Sequence, residues 1–386
     1  MIKKKSEFFA DFHDPAFRVE LILFCSVLFI LFFSAIMIFS ASNITASYRF
    51  GDPFFFLKRQ LIWSFLGLMM LFTGYFLSYK KWQNFSLLFM LISLLLLILV
   101  LIPSIGHSVG GARRWLRFGG VGIQPSELAK VAFIFYTADW LDRKHQVMNK
   151  NFFVFLPKIF LLMLTVCLIY LEPDLGTTVI IIAIVFSMYF IAGVSKKYIF
   201  IFWGLVLSFF AYALLSTPYR LKRVLSFLNP WQHFSDVGYQ VVQSYLAIAN
   251  ASFLGTGIGG SKLKLLYLPE SHTDFILSII IEELGVLGSL IVFGFFLIFT
   301  YLGIKIALQT DNYFARLVAF GITFLISFQA IMNIAVVTGA IPTKGIPLPF
   351  FSFGGSSFVV SMFCIGVLLN IARESRHNIA AKISNY

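Results

Sequence analysis

Charge is what this chain of 386 residues has least of. Asp, Glu, Lys and Arg together make up 12%, where a soluble domain carries about a quarter. That shortage excludes a water-soluble globule, and the 59% of apolar residues excludes a disordered chain. Cysteine is scarce too. Cys25, Cys167 and Cys364 each lie inside an apolar stretch, so they form neither a disulfide framework nor a metal-ligand spacing and read as small core residues. Acidic residues number 17 against 30 basic ones, a formal net charge of +13. In so apolar a chain the excess serves orientation and contact with anionic headgroups or phosphates, and no nucleic-acid partner is expected.

What the sequence has in abundance is long apolar runs, with a mean hydropathy of +0.89 and 48 Phe residues. The runs are continuous rather than alternating, which points to membrane-spanning helices and away from a barrel. The expected fold is an all-α polytopic membrane protein, one integral membrane domain over 1–386 with about ten transmembrane helices. The spans fall near 19–40, 59–78, 83–103, 126–141, 153–171, 175–194, 198–216, 275–302, 314–336 and 355–372. The first apolar run continues past 20 residues and other spans follow it, so it is not read as a cleaved signal peptide.

Lys and Arg set the orientation. Placing the N-terminus inside collects 16 of them on the inner side against 12 outside, with Lys130 and Lys158 within the membrane. Every proposed inner segment carries positive charge, while the outer 172–174 turn carries none. Both termini are therefore expected in the cytoplasm, as tails at 1–18 and 373–386. The largest segment outside the membrane is 217–274, an extracytoplasmic loop between spans 7 and 8. It is marginal in length for an independent catalytic domain, so any chemistry is expected where spans and this loop meet at the outer face. The outer basic residues are clustered, which an anionic ligand outside would explain.

Some residues are costly where they stand. Pro125 and Ser126 mark a helix start, and Glu127 and Lys130, three apart, share one face. Each charge inside a membrane costs roughly 2.5–3.5 kcal/mol. Pairing relieves that cost, and the pair either orients the helix or lines a polar cavity. Trp115, set among Arg113, Arg114 and Arg117, is either an interfacial anchor or part of a diphosphate clamp. Asp274 stands where the long loop runs into the eighth span; it is either a helix cap or a general base kept ionised by the positive helix end. His272 beside it can orient that acid. Glu282 and Glu283 follow two turns deeper on different sides of the helix, and at least one is expected to be protonated or paired.

Gly255-Thr-Gly-Ile-Gly-Gly260 formally matches a dinucleotide fingerprint, but no soluble βαβ unit surrounds it and a flexible or closely packed turn is expected. The segment 237–254 has helical apolar spacing with polar residues between, as an interfacial helix would. Pro342-Thr-Lys-Gly-Ile-Pro-Leu-Pro349 and Phe353-Gly-Gly-Ser-Ser357 read as a re-entrant-like outer loop, which is tolerated at membrane depth where it lines a cavity.

Taken in order, these segments resemble the SEDS family (shape, elongation, division and sporulation) over about residues 19–372. The series includes Phe56-Leu-Lys-Arg-Gln60, Gly111-Ala-Arg-Arg-Trp115, Gln124-Pro-Ser-Glu-Leu-Ala-Lys130, Glu172-Pro-Asp-Leu-Gly-Thr177 and Phe227-Leu-Asn-Pro230. It continues through Gly238-Tyr-Gln240, Leu268-Pro-Glu-Ser-His-Thr-Asp-Phe275, Glu282-Glu-Leu-Gly285 and the stretch from Pro342 to Ser357. Pro342-Thr-Lys-Gly345 is similar to the division members and Ile346-Pro-Leu-Pro-Phe350 to the elongation members, with the balance towards division. Ala251 and Ser252 replace a glycine pair usual in the family.

The resemblance implies a peptidoglycan glycosyltransferase of the bacterial cytoplasmic (inner) membrane. It would polymerise lipid II, the undecaprenyl-diphosphate-linked disaccharide-pentapeptide, beside a class B penicillin-binding protein and other division proteins, among membrane lipids. By motif, Asp274 would be the catalytic acid residue, with Trp115, Glu127, Lys130 and His272 supporting it. Arg59, Arg113, Arg114 and Arg223 would neutralise the departing diphosphate. No cofactor is assigned; Mg or Mn would suit as help, yet no metal cage is visible. Two other readings stand: a flippase for lipid-linked precursors, which a basic mouth and broken helices also suit, and a non-catalytic scaffold. An elongation-type polymerase is the alternative within the family.

Overall fold

The computed structural model describes residues 15–109, 111–118, 121–146, 152–215, 223–224, 226–234, 238–265 and 271–384. Four short pieces of the 217–274 loop, all but the end of the 1–18 tail and the last two residues of the 373–386 tail lie outside them.

Long apolar runs become helices because each helix satisfies its own backbone, the condition for crossing lipid. The order is α1 (Pro15–Phe50), α2 (Phe55–Phe76), the short α3 (Tyr79–Asn84) and α4 (Ser86–Leu101). A sheet follows: β1 (Gly106–Val109), β2 (Ala112–Phe118) and β3 (Val121–Ile123). Then come α5 (Pro125–Lys144), α6 (Leu156–Leu171), α7 (Leu175–Ile191), α8 (Lys196–Leu215), α9 (Tyr239–Asn250), α10 (Ile276–Gln309), α11 (Tyr313–Val337) and α12 (Gly355–Ser384).

Every one of the ten expected ranges is occupied by a helix. Seven helical stretches among the described residues are long and apolar enough to cross a membrane, and the protein is a multi-pass membrane protein. The others differ for physical reasons. α4 and α7 are apolar but only 16 and 17 residues long, roughly 25 Å at 1.5 Å per residue. α5 carries Glu127, Lys130, Asp139 and Asp142, and it is buried along most of its length against α4, α7, α11 and α12.

Two features shape the bundle. α2 and α12 meet through glycines: a Cβ at Gly74 would stand 2.7 Å from the Phe363 carbonyl, and one at Gly366 would overlap the backbone of Leu71. Small residues of this kind let membrane helices approach closely. The second feature is a three-stranded antiparallel sheet, order β1-β2-β3, between the C-terminal end of α4 and the N-terminal end of α5. It was not expected from the sequence.

α9 does not lie free in the interface. It packs on α10 and α11, and Ser244 Oγ sits 2.8 Å from Ser278 Oγ and donates to the Val337 carbonyl at 2.7 Å. α12 continues past 372 to Ser384, so the described part of the expected C-terminal tail is helix.

Candidate active site

α10 is broken at Gly285 (φ 59°, ψ −139°), which removes the ordinary helical acceptors' partners. The glycine turn fills the break. Thr256 N donates to the Glu282 carbonyl and Gly257 N to the Glu283 carbonyl, both at 2.9 Å, while Val286 N donates to the Phe253 carbonyl at 3.0 Å. Gly255 (φ 74°) lies so close to the Glu283 backbone that a side chain there has no room. The turn is therefore closely packed. Both carboxylates are partnered: Lys264 Nζ is 2.9 Å from Glu283 Oε1, Ser40 Oγ donates to Glu283 Oε2 at 2.6 Å, and Ser261 Oγ donates to Glu282.

The break leaves a short first segment of α10 with Asp274 just before it. Three successive carbonyls there are tied to other elements. Phe353 N donates to His272 O at 2.9 Å, Ser352 Oγ to Thr273 O at 2.7 Å and Asn333 Nδ2 to Asp274 O at 2.8 Å. His272 is buried, its ring 4.3 Å from that of Phe56. The Asp274 carboxylate is half-exposed and lies against Gly345, where a Cβ would be 3.0 Å from Oδ2.

Gly345 also ends a groove of about 570 Å³ lined by Arg114, Asp174, Arg223 and Lys344 among polar residues, with Phe210, Ala213 and Met332 along it. Phe210 belongs as well to a second, apolar groove of about 450 Å³ between α7, α8 and α11, walled by Trp203, Phe324 and Phe328. A basic groove and an apolar one therefore meet at Phe210, and the first reaches the Asp274 carboxylate through Gly345.

Arg114 reaches this groove because the β1–β2 register shifts between His107 and Ser108, at Trp115 and Arg113 of β2; such bulges re-aim side chains. Its Nε donates to the Glu172 carbonyl at 2.9 Å and Nη2 to that of Pro173 at 2.5 Å, closing the C-terminal end of α6. Arg223 Nη1 donates to the Thr343 carbonyl at 3.4 Å. Burial holds the Lys344 ammonium below the usual lysine range, with Asp174 acting in the opposite direction. Burial also pushes the Glu172 carboxyl up to about 9, helped by Asp174 and opposed by Arg114.

The remaining expected residues sit elsewhere. Lys130 Nζ pairs with Glu127 Oε1 at 2.9 Å, both buried, and also donates to Gln329 Oε1 at 2.9 Å. Trp115 is half-buried over Gly122 of the sheet. Arg113 is exposed on β2, and Arg59 is exposed with its guanidinium 4.4 Å from the Phe55 ring centre. None of these lines the Arg114–Lys344 groove. Asp174 and Lys344 fall inside the motifs given above, but the motifs alone mark neither of them, nor Gln329 or Asn333, as a site residue. Among the described residues no three His, Cys, Asp or Glu side chains gather as a metal site.

A broken helix, the irregular segment between α11 and α12 and a basic groove in a bundle of apolar helices define a membrane protein with its site at one end of the bundle. The chain belongs to the FtsW/RodA/SpoVE family, whose description, cell cycle protein, matches residues 20–377. It is 40% identical to the probable peptidoglycan glycosyltransferase FtsW of Geobacter metallireducens over 359 residues, 93% of this chain and 96% of that one. It is also 40% identical to the stage V sporulation protein E of Bacillus subtilis, over 93% of this chain and 98% of that one. Among solved structures, it resembles a peptidoglycan synthase complex that coordinates polymerization and crosslinking (TM-score 0.71, 28% identity, 90% of this chain and 97% of that one). The rod shape determining protein RodA of Thermus thermophilus is similar too (TM-score 0.66, 26% identity, 90% and 96% covered).

Proposed function

We propose that this chain is a peptidoglycan glycosyltransferase of the bacterial inner membrane, extending glycan strands from lipid II in septal wall synthesis. The observation that carries the reading is the position of the Asp274 carboxylate against Gly345, which lines a basic groove that shares Phe210 with an apolar one. The chemistry needs those parts together. The donor is a sugar diphosphate on a polyprenyl chain. The apolar groove takes the chain, and Arg114, Arg223 and Lys344 face the diphosphate. Asp274 removes the proton from the 4-hydroxyl of the acceptor GlcNAc as that oxygen attacks C1 of the donor MurNAc. The bond from C1 to the diphosphate oxygen breaks with inversion, and the basic residues stabilise the charge that develops on it.

In this reading both termini are cytoplasmic and Asp274 faces the outer leaflet, where the sugar of lipid II is presented. His272 orients the Asp274 segment through its packing on Phe56. Arg59, Arg113 and Trp115 lie outside the groove and take no part in this reading, and the Glu127–Lys130 pair acts from behind through Gln329. Any Mg or Mn would assist at the diphosphate, and no step is assigned to it. The likeness to a peptidoglycan synthase complex supports a class B penicillin-binding protein as the partner, and the FtsW-named relatives support a place among division proteins.

The test is labelled lipid II with purified chain, with and without its transpeptidase, comparing native and Asp274→Asn. Asparagine caps a helix about as well as aspartate but accepts no proton. Glycan strands from the native chain and none from a well-folded Asp274→Asn are expected. Strands from both at equal rate overturn the mechanism, and lipid movement across vesicles without strands overturns the activity.

A further inference from the structure

We propose that Asn333 is a positioning residue for the reaction, holding the Asp274 backbone and the Gly345 loop in register, with Gln329 as its companion one turn away. The inference rests on the polymerase reading for its kinetic part alone. Asn333 is 1% exposed and Gln329 4%. Four residues apart on α11, they share one face. The single amide nitrogen of Asn333 spends both protons on two different segments: the Asp274 carbonyl and the Ile346 carbonyl, each at 2.8 Å. Gln329 Nε2 donates to the next carbonyl of that loop, Pro347, at 3.1 Å. Its own oxygen accepts from Lys130 Nζ.

Lys130 therefore does more than neutralise Glu127. An ammonium has donors only, so it fixes which end of the Gln329 amide points towards α5 and leaves the nitrogen aimed at Pro347. The loop that bears Gly345 already reaches the Asp274 segment directly at its far end, through Phe353 N on the His272 carbonyl and Ser352 Oγ on the Thr273 carbonyl. At the Asp274 carbonyl itself the two are joined through the one Asn333 amide. α11, a rigid element, thereby adds a fixed support to the spacing between the carboxylate and the groove at the Gly345 end, where the Asp274 and Ile346 carbonyls, both acceptors, cannot bond each other directly.

The experiment compares native chain with Asn333→Ala, Asn333→Ser and Gln329→Glu in lipid II polymerisation and in hydrogen–deuterium exchange of peptides covering 271–278 and 345–353. Asn333→Ala should raise exchange in both peptides and lower kcat at least tenfold, with KM for lipid II within about twofold. Serine keeps one donor and should fall between. Gln329→Glu still accepts from Lys130 but cannot donate to Pro347; it should raise exchange in 345–353 alone. Unchanged exchange in Asn333→Ala overturns the clamp. Raised exchange with native kcat overturns the positioning role, as does a loss confined to KM. Should Asn333→Ala fail to fold, the serine variant decides by the same criteria. A native chain that makes no strands, yet shows the exchange pattern, overturns the polymerase reading and leaves the clamp standing.

Discussion

Gly345 stands directly against the carboxylate of Asp274, close enough that a methyl group at 345 would lie 3.0 Å from Oδ2. That separation is tighter than ordinary van der Waals contact, so a side chain there must push the carboxylate or the loop aside. Gly345 is exposed, and its replacement removes nothing from the core. Gly345→Ala should therefore lower strand synthesis about tenfold and Gly345→Val further, with the thermal midpoint in detergent unchanged; displacement of a reacting group costs rate steeply. Lipid II turnover beside a melting curve checks both halves.

Arg114 closes the end of α6 and faces the groove at once. Charge-assisted hydrogen bonds contribute about 1.5–3 kcal/mol when buried, and a half-exposed guanidinium gives about 1 kcal/mol. Arg114→Lys keeps the charge but cannot fork to the Glu172 and Pro173 carbonyls. It should lose as much thermal stability as Arg114→Ala while retaining more affinity for lipid II. Equal KM values in the two variants would remove Arg114 from diphosphate binding.

Glu172 gives a pH signature. Its carboxyl ordinarily titrates near 4.5 and is pushed up to about 9 by burial. Between those values the folded chain holds a proton that the unfolded chain has released. Stability from this group is full below about 4.5 and is lost as pH rises towards 9. Melting curves from pH 5 to 9 should fall for the native chain and fall less for Glu172→Gln, which mimics the protonated form. Parallel curves would refute this.

Lys264 and Glu283 form a buried pair, at 3% and 0% side-chain exposure. Removing one partner of such a pair costs about 3–5 kcal/mol, whereas replacing both with apolar residues is often neutral. Lys264→Met should lower the melting midpoint sharply, and Lys264→Met with Glu283→Leu should recover much of the loss. A single variant as stable as the native chain would show that the pair holds nothing.

The positions of the long helices were legible because continuous apolar runs have few other solutions, and the start of α5 was signalled by Pro125. Asp274 was legible as a carboxylate at a helix entrance. The sheet was not. Its strands are short, and β2, with Arg113, Arg114 and Arg117, lacks the alternation that marks a strand. The packing of the glycine turn was half legible: Gly255 to Gly260 announced a tight turn, but its partners are the carbonyls of Glu282 and Glu283, exposed only because Gly285 breaks α10. Arg59, Arg113 and Arg114 looked equivalent by charge. The β1–β2 register shift and the stacking on Phe55 are what separate them. Gln329 and Asn333 were readable in principle, since two amides at helical spacing in an apolar run ask for partners.

The exchange of backbone hydrogen bonds between residues 253–257 and the interrupted α10 ties a stretch that looks like a surface connector into the backbone of that helix. Most connectors accept insertions and deletions freely. This one has fixed length: a single residue added or removed between 253 and 257 would take Thr256 N and Gly257 N away from the carbonyls of Glu282 and Glu283, and a buried polar group left without its partner is costly. Length variation among relatives is thus expected on either side of that stretch and not inside it.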